Sequence, residues 1–194
     1  MLKIGLTGNA GSGKSTAVDF FRSKGIDGIS ADAINLNLRN HCQFLTKLLE
    51  NILQTRLSDK NGLLDAGLLR QIIFSSTSSQ ETIESVLHPL IIENIDLQLA
   101  LLPDKHYCII EIPLLYEADL ISYVDSVLLV TADRKTLINR IKSRNHLTQQ
   151  DAESILDKQL ADNSKFPPSN DIVLNNDTQE VFQSHLNLLH HRNS

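Results

Sequence analysis

The chain has 194 residues, of which 41% are hydrophobic and 21% are charged. This composition excludes a disordered or membrane-spanning chain, and the length suits one compact domain with a full hydrophobic core. The net charge is −5, and the 18 basic residues are scattered, so we expect no nucleic-acid partner. Two cysteines without metal or disulfide spacing, and an apolar N-terminal stretch too short for a signal peptide, favour a cytoplasmic protein with no membrane association.

Five short apolar runs predict the strands of one sheet. Their hydrophobicity is continuous rather than alternating, which is typical of strands buried on both faces. Because helical patterns lie between them, we expect an α/β fold of the doubly wound class, with a parallel sheet of about five strands covered by helices. The predicted strands are residues 2–7, 26–30, 107–112, 126–131 and 171–174.

A long helical insertion, residues 40–102, separates the second and third predicted strands. Apolar stripes run from Phe44 to Leu53 and from Ile83 to Ile95, and we expect both to be core. Pro89 either starts a new helix or kinks the existing one. The insertion is where we expect a second substrate to be recognised. The rest of the core is predicted over residues 1–39, 103–133 and 162–194, all within a single chain of 1–194.

The segment from Gly8 to Ser15 matches the template of a phosphate-binding P-loop. Glycines let the backbone fold around phosphate, and successive amide N–H groups with the N-terminus of the next helix form an anion cradle. Lys14 would reach the terminal phosphates of ATP, and the Ser15 hydroxyl would bind Mg²⁺. The motif follows a predicted strand and opens a predicted helix, as its mechanism requires. The predicted ATP-binding residues here are Gly8, Gly11, Ser12, Gly13, Lys14, Ser15 and Thr16.

Three acidic residues lie at or just after predicted strands, at the edge where parallel α/β sheets bind ligands. Asp32 is predicted to accept the proton of an attacking hydroxyl or to help hold Mg²⁺, although an aspartate here would also cap the next helix. Glu111 is predicted to hold a Mg²⁺-bound water, because a buried carboxylate is costly unless it is paired or points toward a cation. Glu117 is either a substrate-side group or a solvated loop carboxylate.

The residues after the fourth strand predict a helical lid over 134–161. Arg140 and Arg144 stand four residues apart on one helix face, where their planar donors would clamp phosphates; a solvated face is the ordinary alternative. Thr148 with Asp151 resembles a capping box, so we expect a second helix to start there and complete a hairpin. Such a lid would exclude water and suppress wasteful hydrolysis of ATP.

As a group, these residues resemble dephospho-CoA kinase, which phosphorylates the ribose 3'-hydroxyl of dephospho-CoA in the last step of coenzyme A synthesis. The resemblance spans nearly the whole chain, and its His-Pro and Pro-Leu-Leu-aromatic-Glu elements are more discriminating than the P-loop. It is carried by Gly5-Leu6-Thr7-Gly8 running into Gly11-Ser12-Gly13-Lys14-Ser15-Thr16, by Ala31-Asp32, His88-Pro89 and Pro113-Leu114-Leu115-Tyr116-Glu117, by Arg140 with Arg144, by Gln159, and by Asp171 with Asn175.

The resemblance implies a role for each part of the chain. The substrates would be ATP and dephospho-CoA, Mg²⁺ would be the cofactor, the insertion would bind CoA, and the protein would be a monomer or a weak homo-oligomer. The implied site residues are Asp32 as catalytic base with Lys14 and Arg140; Arg144 and Asn175 for ATP; His88, Pro113, Leu114 and Glu117 for the acceptor; and Ser15, Asp32 and, through water, Glu111 for the metal.

Four positions depart from the family pattern, and we expect them to be tolerated because the implied catalytic residues are all present. Ser30 and Glu111 stand where aspartates are usual, Ala66 stands where arginine is usual, and Asn9 replaces the second glycine of the loop. Two other functions stay open at this point. One is another P-loop kinase, acting on a nucleoside monophosphate or a small metabolite. The other is a nucleotide-binding module without an acceptor, such as a catalytically weakened paralogue.

Overall fold

The computed structural model describes residues 1–103, 105–145, 147–163 and 170–194. Residue 146 of the predicted lid and residues 104 and 164–169 of the predicted core lie outside this description. The chain divides into two compact units, residues 1–30 with 102–194 and residues 31–101. The helices are α1 (Lys14–Ser23), α2 (Ala31–His41), α3 (Gln43–Leu53), α4 (Ala66–Ser75), α5 (Thr77–Leu101), α6 (Arg134–Asn145), α7 (Gln149–Asn163) and α8 (Gln179–Asn193).

The first unit is built on a five-stranded parallel sheet, which confirms the predicted fold. Its strands are β1 (Leu2–Thr7), β2 (Gly28–Ser30), β3 (Tyr107–Glu111), β4 (Ser126–Thr131) and β5 (Asp171–Leu174). They lie in the order β2-β3-β1-β4-β5. The chain adds β2 and β3 on one side of β1 and then β4 and β5 on the other. Ligands of open α/β sheets bind beside such a reversal, at the carboxyl ends of the strands.

Helices α1 and α8 pack together against one face of this sheet. Phe21 and Phe182 reach from these helices into a core shared with apolar side chains of the strands. The other face is also covered, since β3 is buried at every residue, as its continuous apolar sequence predicted. At Gly5 the methyl groups of Val124 lie 3.0 and 3.1 Å from where a Cβ would be, so glycine allows this close approach to the sheet.

Helices α6 and α7 form the predicted helical hairpin. The Thr148 hydroxyl accepts the Asp151 N–H at 3.2 Å and donates to its carboxylate at 2.6 Å, so the expected cap starts α7. Arg134 and Asp157 form an ion pair of 2.5 Å between the two helices. A buried cluster fills the space between them, and Ala10 of the P-loop packs against it. Its buried members are Ala132, Leu137, Ile138, Ile141, Ala152 and Leu156.

The second unit consists of α2 to α5 around its own apolar core. Leu45 and Leu49 of α3 are fully buried there, Leu57 is also fully buried, and Ile83 is only 1% exposed. The predicted stripes are therefore core in part. Phe44, however, is 67% exposed and Ile52 is 46% exposed, so treating the whole run from Phe44 to Leu53 as core was wrong. Six apolar positions among ten residues extend around more of a helix than one buried face can cover.

Pro89 lies inside α5, which continues from Thr77 to Leu101 as one helix. The alternative in which proline starts a new helix at this point was therefore wrong. Proline removes one backbone donor from a helix. The 25-residue length of α5 supplies many other hydrogen-bonded turns and contacts to the second core, which hold the helix together on both sides of Pro89. Across the described residues, no helix is both long and apolar enough to span a bilayer.

Candidate active site

The loop from Gly8 to Gly13 joins β1 to α1 and contains backbone conformations that favour glycine. Gly8 has a φ of +146° and Gly13 a φ of +102°. A Cβ at Gly8 would lie 1.9 Å from the Val130 carbonyl oxygen, and one at Gly13 would lie 2.3 Å from Asn175 Nδ2. Positive φ and close neighbours thus both require glycine at these two positions of the motif.

The start of α1 is left open for an anion. Gly13 is the N-cap residue, no side chain among the described residues caps the helix, and its first turn contains no acidic residue. The unpaired N–H groups of a first turn carry partial positive charge, which attracts negative groups such as phosphate. Ser12 N donates to Asn9 O at 3.2 Å, which closes the turn of the loop just before this helix. The local backbone therefore has the form of an anion cradle.

Lys14, the first residue of α1, folds its side chain back over the loop. Its Nζ donates to the carbonyl oxygens of Gly8 at 2.7 Å and Asn9 at 3.0 Å. The ammonium group is thereby held at the loop itself, with its charge beside the helix N-terminus. Lysine presents a compact positive charge with three donors, which suits the terminal phosphates of a nucleotide.

Arg140 of α6 and Asn175, the residue after β5, both bond the same loop. Arg140 donates to Gly11 O at 3.3 Å and to Asn175 Oδ1 at 3.4 Å. Asn175 Nδ2 in turn donates to Ser12 O at 2.8 Å. Residues 11, 140 and 175 are far apart in the sequence, and the sheet with the α6–α7 hairpin brings them together. This is the part of the predicted site that the first unit assembles.

Gln159 of α7 also contacts the loop, since its Oε1 accepts the Ala10 N–H at 2.9 Å. Before the structure, Gln159 had no expected function beyond its part in the resemblance. No local pattern could have supplied one, because its partner is 149 residues away. Through this bond α7, the second helix of the hairpin, is tied directly to the phosphate loop.

The whole of this unit has the architecture and loop geometry of a P-loop kinase. The family model for dephospho-CoA kinase matches residues 2–181 of the chain. The chain belongs to the dephospho-CoA kinase family. The dephospho-CoA kinase of Coxiella burnetii is 35% identical to it over 195 residues, which cover 97% of this chain and 98% of that protein.

Solved structures agree with this family assignment at the level of the fold. TT1252 from Thermus thermophilus matches with a TM-score of 0.83 and 25% identity, over 100% of this chain and 98% of that one. The dephospho-CoA kinase from Campylobacter jejuni matches with a TM-score of 0.72 and 24% identity, over 98% of this chain and 96% of that one. Both matches are essentially full-length, so the sheet, insertion and hairpin all lie within the shared fold.

The carboxyl end of β3 places two elements of the dephospho-CoA kinase pattern beside β1. Glu111 is 8% exposed and lies in register with Leu6 of β1 and Ser30 of β2. Within the described residues, its carboxylate makes no hydrogen bond or ion pair. The Thr7 hydroxyl donates to Pro113 O at 3.2 Å, which fastens the segment after β3 to the strand that leads into the loop.

Several other residues implied by the dephospho-CoA kinase pattern lie on the surface of the first unit. Ser15 and Thr16 are exposed in the first turn of α1, where a nucleotide could reach them. Arg144 is exposed in the last turn of α6, and Glu117 is exposed after β3. Among the described residues, neither Arg144 nor Glu117 makes a hydrogen bond or ion pair. Leu114 is 46% exposed, whereas the next residue along, Leu115, is fully buried.

Asp32 and His88 belong to the second unit. Asp32 follows the last residue of β2 by two positions and is the second residue of α2, in its first turn. It is therefore inside the helix rather than in the N-cap position. In this first turn its negative charge still interacts favourably with the helix dipole. His88 is half-buried within α5, directly before Pro89. Both keep their implied roles as predictions.

The hairpin of this dephospho-CoA kinase fold carries ionised carboxylates at its base. Asp133 accepts the Thr136 N–H at 2.7 Å at the start of α6, and this hydrogen bond lowers the pKa of Asp133. The hydrogen bond from Arg134 lowers the pKa of Asp157 in the same way. Both groups are solvent-exposed, so they fix the local geometry of α6 and α7 more than they add to stability.

Proposed function

We propose that this protein transfers the terminal phosphoryl group of ATP to the ribose 3'-hydroxyl of dephospho-CoA, giving CoA and ADP. The observation that carries the proposal is the phosphate loop, whose backbone carbonyls are bonded by both Lys14 and Arg140 and which leads into α1 with glycine as the N-cap residue. The family match over residues 2–181 supports dephospho-CoA as the acceptor, because the relatives are named dephospho-CoA kinases. In this reaction the bond between the β–γ bridging oxygen and the terminal phosphorus breaks, and a bond from the 3'-oxygen to that phosphorus forms.

In the mechanism we propose, Asp32 accepts the proton of the acceptor hydroxyl as the new bond forms. Lys14 and Arg140 offset the negative charge on the transferred group, and the loop amides hold the remaining phosphates in line with the hydroxyl. Arg140 must exchange its present bond to the Gly11 carbonyl for one to phosphate. No covalent intermediate with the enzyme is needed, since positioning and charge compensation suffice for phosphoryl transfer.

The residues present fit Mg²⁺ as the cofactor. Mg²⁺ prefers oxygen donors and in kinases is held by one or two carboxylates together with substrate phosphates. Ser15 would offer its hydroxyl and Asp32 a carboxylate oxygen. Glu111 would bind the metal through a water. In the described part of the chain, no group of three or more His, Cys, Asp or Glu side chains could hold a metal by itself. Bound Mg²⁺ would neutralise part of the phosphate charge.

The second unit is the proposed CoA-binding part of the protein. Its core, formed by α2 to α5, is separate from the core of the first unit, which suits a distinct recognition element. His88 from this unit, and Pro113, Leu114 and Glu117 from the first, are the proposed acceptor contacts, and α6 with α7 is the proposed lid. The proposal also includes a cytoplasmic location, no nucleic-acid partner, and a monomer or weak homo-oligomer.

The experiment that tests this function is a coupled assay of ADP release in the presence of ATP and Mg²⁺. It is run with dephospho-CoA, with a panel of nucleoside monophosphates, and with no acceptor. We expect ADP release to require dephospho-CoA, and mass spectrometry to find one added phosphate on it. A preference for a monophosphate would replace the proposal with another kinase activity. ATP binding without acceptor-dependent turnover would show a nucleotide-binding paralogue instead.

A further inference from the structure

Asn175 has both ends of its side-chain amide engaged by the protein. The residue is 7% exposed, and its backbone N–H extends the pairing of β5 by donating to Thr131 O at 2.8 Å. Its Nδ2 donates to the Ser12 carbonyl at 2.8 Å, and its Oδ1 accepts from Arg140 at 3.4 Å. A buried amide bonded in this way presents little to a nucleotide base.

The bond to Ser12 sets the orientation of a peptide group in the phosphate loop. Because the peptide between Ser12 and Gly13 is planar and trans, its carbonyl and its N–H point in opposite directions. With the Ser12 carbonyl held by Asn175, the Gly13 N–H is directed away from Asn175. Amide N–H groups of such loops are the donors that bind phosphate oxygens.

The sequence of the loop is adapted to this contact. Asn175 Nδ2 lies only 2.3 Å from where a Cβ of Gly13 would be, so the side-chain amide occupies the space that glycine leaves open. The next residue near that Cβ position is Phe182, a core residue of α8, whose ring lies 3.8 Å from it. Asn175 thus joins the sheet to the loop, through its backbone bond to Thr131 and its side-chain bond to Ser12.

We propose that Asn175 is a positioning residue that orients the Ser12–Gly13 peptide for triphosphate binding and holds Arg140 beside the loop, rather than a residue that contacts adenine. The inference rests on the proposed binding of ATP by this loop. It assigns to Asn175 an effect on every ligand with a triphosphate chain, whatever base that ligand carries.

The test measures the binding of ATP and of inorganic tripolyphosphate by calorimetry, in the presence of Mg²⁺, for the full chain and for Asn175→Asp. Aspartate keeps the size and the acceptor for Arg140, but it turns an oxygen toward the Ser12 carbonyl, where the two acceptors repel. We expect both ligands to bind about tenfold more weakly or worse, by similar factors, which corresponds to about 1.4 kcal/mol or more.

The matched control is Asn176→Ala. Asn176 is the neighbouring asparagine, and its Oδ1 accepts the Asp133 N–H at 2.7 Å instead of bonding the loop. We expect this variant to bind both ligands like the unchanged protein. An unchanged affinity of Asn175→Asp for tripolyphosphate would overturn the inference, whether or not ATP binding falls. Failure of the unchanged protein to bind ATP would instead overturn the proposed function.

A second measurement keeps the inference testable if Asn175→Asp does not fold, as judged by its thermal unfolding. In the unchanged protein labelled with ¹⁵N, tripolyphosphate should shift the backbone amide signal of Gly13. Adenosine should leave the side-chain amide signals of Asn175 in place. A shift of the Asn175 side-chain signals with adenosine would identify a base contact and overturn the inference.

Discussion

The ammonium group of Lys14 lies between two carbonyl oxygens of the loop in which it is proposed to bind phosphate. The bonds to Gly8 O and Asn9 O are both direct, at 2.7 and 3.0 Å. A lysine placed in this way stabilises the loop and is close to any phosphate that enters it. Its substitution should therefore affect nucleotide affinity as well as turnover.

We expect Lys14→Met, which keeps an unbranched side chain of nearly the same length but removes its charge, to weaken ATP binding and to lower kcat by on the order of a hundredfold or more. Lys24→Met is the control, because Lys24 lies past the end of α1 with its Nζ over the Phe20 ring. Coupled assays and calorimetry on both variants check the expectation. If Lys14→Met retains full affinity and turnover, the loop is not the nucleotide site.

Asp32 has a different expected signature, because its proposed role concerns the acceptor proton and not nucleotide affinity. Asp32→Asn should lower kcat by about 10²- to 10⁴-fold while ATP affinity stays within a few-fold of its original value. Asp65→Asn is the matched control in the same unit, since Asp65 caps α4 and asparagine caps helices equally well. Turnover of Asp32→Asn equal to that of the control would refute the assignment of the base.

At the scale of elements, the hairpin of α6 and α7 is connected to the phosphate loop through one side chain from each helix. Arg140 bonds Gly11 O and Gln159 bonds the Ala10 N–H. Two consecutive loop residues are thus held by two consecutive helices. A change in the position of the hairpin would release both contacts together.

Removing one of these contacts should loosen the loop locally. In Gln159→Leu, the Ala10 N–H loses its acceptor, and we expect its hydrogen exchange to become about fivefold faster, given that a hydrogen bond contributes roughly 1 kcal/mol. Gln159→Glu keeps the acceptor and should exchange like the unchanged protein. Gln149→Leu is the surface control, since the exposed Gln149 bonds Glu153 on its own helix and not the loop in the described part of the chain. Equal exchange at Ala10 in all variants would show that the bond does not hold the loop.

At the scale of the whole molecule, α8 is joined to the sheet by a histidine that should make stability depend on pH. His190 Nδ1 lies 2.7 Å from the Tyr107 hydroxyl. Burial raises the pKa of Tyr107 to about 12, so the hydroxyl stays protonated in its hydrogen bond with the histidine. Burial also lowers the pKa of His190, and the nearby charges of His191 and Lys24 lower it further.

The direction of the pH effect follows from this lowered pKa. Between the folded value and the ordinary value of about 6.5, the unfolded chain binds more protons than the folded one, so the free energy of unfolding falls as pH falls. We expect the urea midpoint to decrease from pH 7 to pH 5, and His190→Gln to reduce that decrease. The exposed His185 on the same helix gives the control His185→Gln, which should keep the original slope. Identical slopes in all three proteins would exclude the pair as the cause.

Much of the fold could be predicted because strands buried on both faces and helices with one apolar face have distinct sequence patterns. β1, β4 and β5 have the predicted ends, and β2 and β3 differ by two residues and one residue at one end each. The exposed Phe44 was missed because apolar spacing does not say which face of a helix is buried. Proline can either begin a helix or lie within one, so the sequence left both alternatives open for Pro89. The structure places it inside α5.

The phosphate loop, the parallel strands and the family could all be predicted from the amino-acid sequence, because each depends on residues that are close together or on patterns within one element. The contacts of Arg140, Gln159 and Asn175 with the loop arise only in the folded chain. These bonds join residues 129 to 163 positions apart. Their geometry depends on how the sheet order and the hairpin place separate segments around one backbone turn, and no local pattern in the sequence specifies that placement.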